Sequence, residues 1–129
     1  MNQKALLIPF NSKQEIFLQD RRGYKPPDWG FFGGGIEVGE TPLQAVIRES
    51  KEELDLDLQE SDLLYLGEFP TEFAGVLTQR SIYLYQTDRL NFSVLEGAGG
   101  YWLGIGGATK RLDGGDNIAE IWQTINRVI

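Results

Sequence analysis

Apolar residues recur along this chain with two periods, and each period predicts a different element. Ala5–Phe10 is an almost unbroken apolar run and Glu15–Gln19 a shorter one, so the two read as a hairpin turning at Asn11-Ser12. Leu63–Phe69 and Ser81–Thr87 are also strand-like, and in the latter Ile82 and Leu84 alternate with Tyr83 and Tyr85 across two faces. Between them the period lengthens: Leu43, Val46, Ile47 and Leu54 recur at helical spacing, with Ser50 in the same stripe. Ile118, Ile121, Trp122 and Ile125 form a second helical stripe, which Asp116 is placed to cap. Strands alternating with two helices, with no linker, repeat or low-complexity tract, predict one domain over residues 1–129, an α/β or α+β sandwich.

The first helix has a complete start signal. Thr41 can act as N-cap, Pro42 suits the first helical position, and Gln44, three residues on, completes a capping box. Opposite the apolar stripe lie Glu49, Glu52 and Glu53, which the pattern points away from the core. Residues three and four apart are neighbours on a helix, so each like-charge pair costs roughly 0.2–0.5 kcal/mol. A solvated acidic face is one reading of this crowding. The other is that hard oxygen ligands converge on Mg²⁺ or Mn²⁺, which complete their shells with water and substrate phosphates. Arg48 stands four residues before Glu52 and can pair with it. Just upstream, Gly33, Gly34 and Gly35 permit a ligand to approach the backbone closely.

Composition narrows the chemistry. There are no histidines and no cysteines, which excludes a Ser-His-Asp triad, a cysteine nucleophile and zinc held by imidazole or thiolate. Acid–base work must rest on carboxylates, Lys, Tyr or metal-bound water. A net charge of −7 argues against a nucleic-acid polymer as partner, since phosphate backbones are bound by Lys and Arg. It leaves small phosphate ligands open, because a bound cation reverses the local sign. No apolar run approaches membrane-spanning length and the N-terminus lacks a signal-peptide pattern, so a cytoplasmic protein without membrane partners is expected.

The stretch from Gly34 resembles the Nudix box: a glycine, five residues, a glutamate, seven residues, then Arg-Glu, an aliphatic, any residue, Glu-Glu, any residue, Gly and an aliphatic. Gly34, Glu40, Arg48, Glu49, Glu52 and Glu53 occupy its glycine and charged positions. Ser50 stands where an aliphatic is usual, and Asp55 where a glycine ends the helix. Asp can adopt the left-handed conformation of such a cap, at some cost from placing a negative charge there. The resemblance implies an α/β/α sandwich with a mixed β-sheet, and a loop–helix–loop that binds Mg²⁺ or Mn²⁺. It also implies hydrolysis of a nucleoside diphosphate linked to another moiety. Glu49, Glu52 and Glu53 would hold the metal with the carbonyl of Gly33. Glu49 is a candidate base, Arg48 would orient a box carboxylate, and Glu40 and Gly34 would support the loop.

Other candidates lie outside the box. Glu96, in the glycine-rich segment Glu96–Trp102, is either an additional ligand or proton acceptor of the kind many Nudix enzymes carry, or an ordinary acidic residue in a mobile loop. Arg21, Arg22, Lys25 and Trp29 could contact phosphates and stack a base, or form a solvated loop with Trp29 in the core. Tyr83 either lines a pocket or packs internally. The expected activity is that of a nucleoside triphosphate pyrophosphatase. The alternatives are a nucleotide-sugar or dinucleotide-polyphosphate hydrolase, or a non-catalytic nucleotide-sensing module. The partner is a small nucleotide-type diphosphate, and a homodimer is neither required nor excluded.

Overall fold

A computed structural model describes residues 2–24 and 26–129. Strand β1 (Asn2–Phe10) is central and has both faces covered, which is why its sequence is a continuous apolar run. One edge pairs in parallel with β7 (Val76–Gln86) along its length, and β7 carries β5 (Leu63–Glu68) and the short β6 (Thr71–Phe73).

The other edge of β1 is divided. Next to the turn it meets β2 (Glu15–Asp20) only at the Phe10–Ile16 pair; further back it pairs with β4 (Phe32–Gly35), Leu7 opposite Phe32. The hairpin foreseen in the sequence therefore exists at its turn and then opens. Strand β3 (Trp29–Gly30) takes the inner edge of β2, and β8 (Gly99–Gly104) takes its outer edge. The glycines at 33–35 are therefore strand rather than turn, paired with Leu6, Ala5 and Lys4 of β1, with Gly33 and Gly34 half-buried and Gly35 exposed.

Alternate residues of β1 face two cores. Ala5 and Leu7 pack with Phe32, Val46 and Leu54 beneath helix α1 (Pro42–Leu54), whereas Leu6, Ile8 and Phe10 pack with Ile82, Leu84, Ile121 and Ile125 on the other face. That second layer consists of α2 (Ile105–Arg111) and α3 (Ile118–Val128), giving the α/β/α sandwich. No helix among the described residues is long and apolar enough to cross a membrane.

Helix α1 starts as its sequence prescribes: the Gln44 N–H donates to Thr41 Oγ1 at 3.1 Å and the Thr41 N–H to Gln44 Oε1 at 2.9 Å. It ends on Asp55 in the left-handed conformation, φ 52°, with the Lys51 ammonium 2.8 Å from the Asp55 carboxylate offsetting the misplaced charge. Ser50 is buried and its hydroxyl has no partner.

Three expectations are corrected. Helix α2 was not anticipated, because Gly106 and Gly107 lower helix propensity by about 1 kcal/mol each; burial of Ala108 and Leu112 overrides this. The segment after Glu96 is not a mobile loop throughout, since Gly99–Gly104 is strand β8; there Gly100 leaves room for the Phe17 ring. Asp116 does not cap α3. Asn117 holds that position, and the Asp116 carboxylate is drawn instead to Arg80.

Candidate functional site

Arg48 organises the exposed side of α1. Its Nε and Nη2 donate to the two oxygens of Glu40 at 2.8 and 2.9 Å, and Nη2 also reaches the Gly35 carbonyl at 3.0 Å. Nη1 donates to Glu49 Oε1 at 3.0 Å and to Glu52 at 3.3 Å. The two-pronged bond, aided by the Glu37 N–H, holds the Glu40 carboxyl down at about 2. The Arg48–Glu52 pair read from spacing is thus present but subordinate. Glu52 is more than half exposed (54%), where solvent screens such a pair.

Glu53 behaves differently from the other two. The helical pattern pointed it toward water, yet it is 3% exposed, because α1 lies against β4, whose glycines let the strand come close to it. The Gly33 N–H donates to Glu53 Oε2 at 2.8 Å. Burial first, then the charge of Glu49 and a hydrogen bond between the two carboxyls, then the charge of Glu96, push the Glu53 carboxyl up to about 8.

The glycines are specific to this arrangement. Gly33 has φ 132°, and a Cβ there would collide with the Ala5 carbonyl and Leu6. At Gly34 a Cβ would lie 2.6 Å from the Glu49 carboxylate, so the bare backbone makes room for that side chain. On the other flank, the Leu95 N–H donates to the Glu53 carbonyl at 2.8 Å and brings the exposed Glu96 beside the box.

Glu53, Glu96 and Gly33–Gly35 line a cavity of about 1100 Å³ that opens along the divided sheet edge. Another part of its wall is Arg80, Asp116, Phe31 and Phe73. Arg80 is 4% exposed and lies 6.0 Å over the Phe31 ring. It donates to the carbonyls of Phe69 (2.9 Å) and Asp116 (3.0 Å), to Asp116 Oδ1 (3.1 Å) and to Asn117 Oδ1 (2.7 Å). Burial raises the Asp116 carboxyl above its usual range, against the opposing pull of Arg80.

The structure does not bring all candidates together. Arg21 lines the cavity, but Arg22 and Trp29 do not: Arg22 is paired with Asp20 at 2.8 Å, and the Trp29 ring has the Arg22 and Arg111 guanidiniums 4.9 and 5.4 Å from its centre. With Tyr101 also 5.8 Å away, the ring packs among protein groups rather than at the cavity wall. Tyr83 is buried beneath α1 with its ring 5.1 Å from Tyr65, away from the cavity, so its contact with a ligand is withdrawn. Lys25 lies outside the described residues.

Geometry and comparison agree here. The family model for the NUDIX domain matches residues 2–100. The chain belongs to the Nudix family. Among curated proteins it is 36% identical over 67 residues to the nucleoside triphosphatase NudI of Salmonella arizonae, covering 49% of this chain and 48% of that one. It is also 36% identical over 58 residues to the RNA pyrophosphohydrolase of Francisella tularensis, covering 45% and 36%. The chain thus spans half or less of the length of these relatives. A solved Ap4A hydrolase of C. elegans superposes with a TM-score of 0.78 at 20% identity, covering 98% of this chain and 96% of that one. The dihydroneopterin triphosphate pyrophosphohydrolase of E. coli superposes with a TM-score of 0.75 at 24% identity, covering 96% and 95%. These two likenesses concern the Nudix fold.

Nudix hydrolases generally use divalent metal ions, and the donor set suits one. It consists of hard carboxylate oxygens, and burial beside Glu49 pushes the Glu53 carboxyl toward its protonated form, which a cation would reverse. Among the described residues, no three acidic side chains are already gathered into a cation cage. Arg48 holds Glu49 and Glu52 meanwhile.

Sequence reasoning missed Arg80 and Gln19 as cavity-lining residues. The sequence carried little signal for either, since Arg80 lies in the polar run 78–81 and Gln19 stands beside Asp20 at the end of its strand, and only their burial demands partners.

Proposed function

We propose that this Nudix-family chain is a Mg²⁺- or Mn²⁺-dependent cytoplasmic nucleoside triphosphate pyrophosphatase that releases a nucleoside monophosphate and pyrophosphate. The observation that carries the reading is the Glu49–Glu53 carboxyl pair: Glu53 is buried, held by the Gly33 N–H and turned into the cavity. A buried carboxyl pushed up by its burial and by a neighbouring carboxylate suits a cationic partner. Such a metal would neutralise the diphosphate oxygens and lower the pKa of water.

Glu49, Glu52, Glu53 and the Gly33 carbonyl are the residues that would hold it, with Glu96 as an additional ligand or proton acceptor. The chain's own part in the reaction then follows. Arg48 holds Glu49 in place and Glu40 holds Arg48, so the carboxylate that takes the proton of the attacking water is oriented in advance. Water adds to a phosphorus of the α–β anhydride and gives its proton to the carboxylate, the bridging P–O bond breaks, and the nucleoside monophosphate and pyrophosphate separate. In this reading Arg21 and the glycines 33–35 would face the phosphates, and Phe31, Phe73 and the Arg80–Asp116 wall, which line the same cavity, would surround the remaining moiety.

A dinucleotide-polyphosphate substrate is the second reading, favoured by the cavity volume of about 1100 Å³. That is just above the roughly 300–1,000 Å³ of ordinary small-ligand pockets. The test is release of pyrophosphate or phosphate from a panel of nucleoside triphosphates, dinucleotide polyphosphates and nucleotide sugars, with and without Mg²⁺. Fastest turnover on triphosphates supports the first reading. Binding without turnover of any member identifies a sensing module and overturns both.

A further inference from the structure

The loop that carries Glu96 is fastened to the protein more firmly than an exposed loop requires. Its Leu95 N–H donates to the Glu53 carbonyl at 2.8 Å, and its Ala98 N–H to the Asp20 carbonyl at 2.8 Å. Between these, the Gln19 side-chain amide donates to the carbonyl of Glu96 itself at 3.3 Å. Gln19 is 7% exposed and belongs to β2, which is paired on both sides there: Gln19 lies opposite Gly30 on β3 and Gly100 on β8. The amide therefore projects from a rigid platform. Burying an amide costs free energy that its hydrogen bonds only partly return, whereas an apolar side chain would serve packing alone better.

Gly97 completes the fastening. Its φ is 82°, and a Cβ there would lie 2.7 Å from the Asp20 carbonyl oxygen and 3.3 Å from Gln19 Nε2. Only a bare left-handed residue lets the loop lie this close to β2.

We propose that Gln19 and Gly97 are positioning residues that hold the exposed Glu96 carboxylate against the box, joining β2 to the reacting end of the cavity. The proposal rests on the reading that Glu96 serves the hydrolysis, and goes beyond it by naming what sets its place. A displacement of about 1 Å in such a group can cost as much as 10²-fold in rate, so one hydrogen bond is enough to matter.

The test compares wild type, Gln19→Met, Glu96→Gln and the double variant by kcat and KM on the nucleotide that wild type hydrolyses fastest. Amide hydrogen exchange of the same proteins, without added metal, gives an independent measure. Gln19→Met should lower kcat about tenfold with KM changed less than about twofold. In the Glu96→Gln background the same substitution should change kcat less than about twofold, because nothing remains to be positioned. Exchange at Leu95 and Ala98 should quicken while α1 stays protected. Gly97→Ala, which leaves Gln19 in place, should reproduce both effects.

Equal losses in the two backgrounds, or unchanged exchange in the loop, overturn the proposal. Full activity of Glu96→Gln overturns it by removing the role of Glu96. If wild type hydrolyses nothing in the panel, the functional reading fails instead, and exchange still decides whether Gln19 holds the loop.

Discussion

Arg48 and Arg80 are both arginines held by several acceptors, and they do opposite things. Arg48 stands among Glu40, Glu49 and Glu52, so its one positive charge leaves the helix face with a negative surplus. Arg80 meets one carboxylate, Asp116, and otherwise neutral oxygens, so its surroundings are balanced and closed. Arg48 is a quarter exposed, whereas Arg80 is almost fully buried. The difference teaches that an arginine leaves carboxylates available to a further cation where its acidic partners outnumber it, and closes a wall where they do not.

The sharpest way to break that contrast is to remove each guanidinium. Arg80→Met leaves the quarter-exposed Asp116 without its cation and the Phe69 carbonyl without its buried donor, and should lower stability by about 2–3 kcal/mol in denaturant unfolding. Adding Asp116→Leu should restore much of it. Arg48→Met should cost only about 1 kcal/mol, since its pairs are partly solvated, while turnover falls. Equal destabilisation by the two substitutions would erase the distinction.

Next in size is Glu53→Gln. Turnover in Mg²⁺ should fall on the order of 10²-fold or more with an unchanged circular dichroism spectrum. Retained turnover would remove the box carboxylates from the chemistry.

The surplus charge can also be tested by pH. Glu53 is raised from an ordinary 4.5 to about 8 in the folded protein, so folding favours its protonated form. Its contribution is full below pH 4.5 and lost as pH rises through 8. In chelator, the Tm of wild type should therefore fall between about pH 5 and 8 relative to Glu53→Gln, and Mg²⁺ should reverse the fall. Glu40 has the opposite sign. Held at about 2, it stabilises above 4.5 and loses that contribution as pH drops toward 2. A flat Tm across the upper window would contradict the strained carboxyl pair.

The smallest effects lie on the scaffold under Arg48. Thr41→Ala should lower stability by about 1 kcal/mol through loss of the cap. Ser50→Ala should raise it by a similar or smaller amount, because an unpartnered buried hydroxyl is removed. Both are read from thermal unfolding, with activity nearly unchanged.

What was legible in the sequence was local. The capping box at Thr41, the left-handed end at Asp55 and the strands of β1, β2, β5 and β7 follow from short-range rules that the chain obeys wherever it folds. The crowding of Glu49, Glu52 and Glu53 was legible for the same reason, since helical spacing alone makes them neighbours. Their inequality was not. Glu53 is buried because the glycines of β4 let that strand come close to α1, and no residue within α1 records that. Helix α2 was hidden because its glycines speak for a loop, and only packing on the sheet outweighs them. Tyr83 gave identical signals for core and pocket, because alternation along β7 does not say which face has a cavity.

The sequence by itself determined that an acidic helix, started by Thr41 and preceded by three glycines, would present carboxylates, in a chain whose lack of histidine and cysteine excludes their chemistry. Tertiary structure alone decided which carboxyl would be buried, that Arg80 would close the far wall through Asp116, and that Gln19 would reach the Glu96 loop. The physical reason is range. Capping and helical spacing act over three or four residues, whereas burial and charge pairing depend on groups 20, 36 and 77 positions apart in the chain.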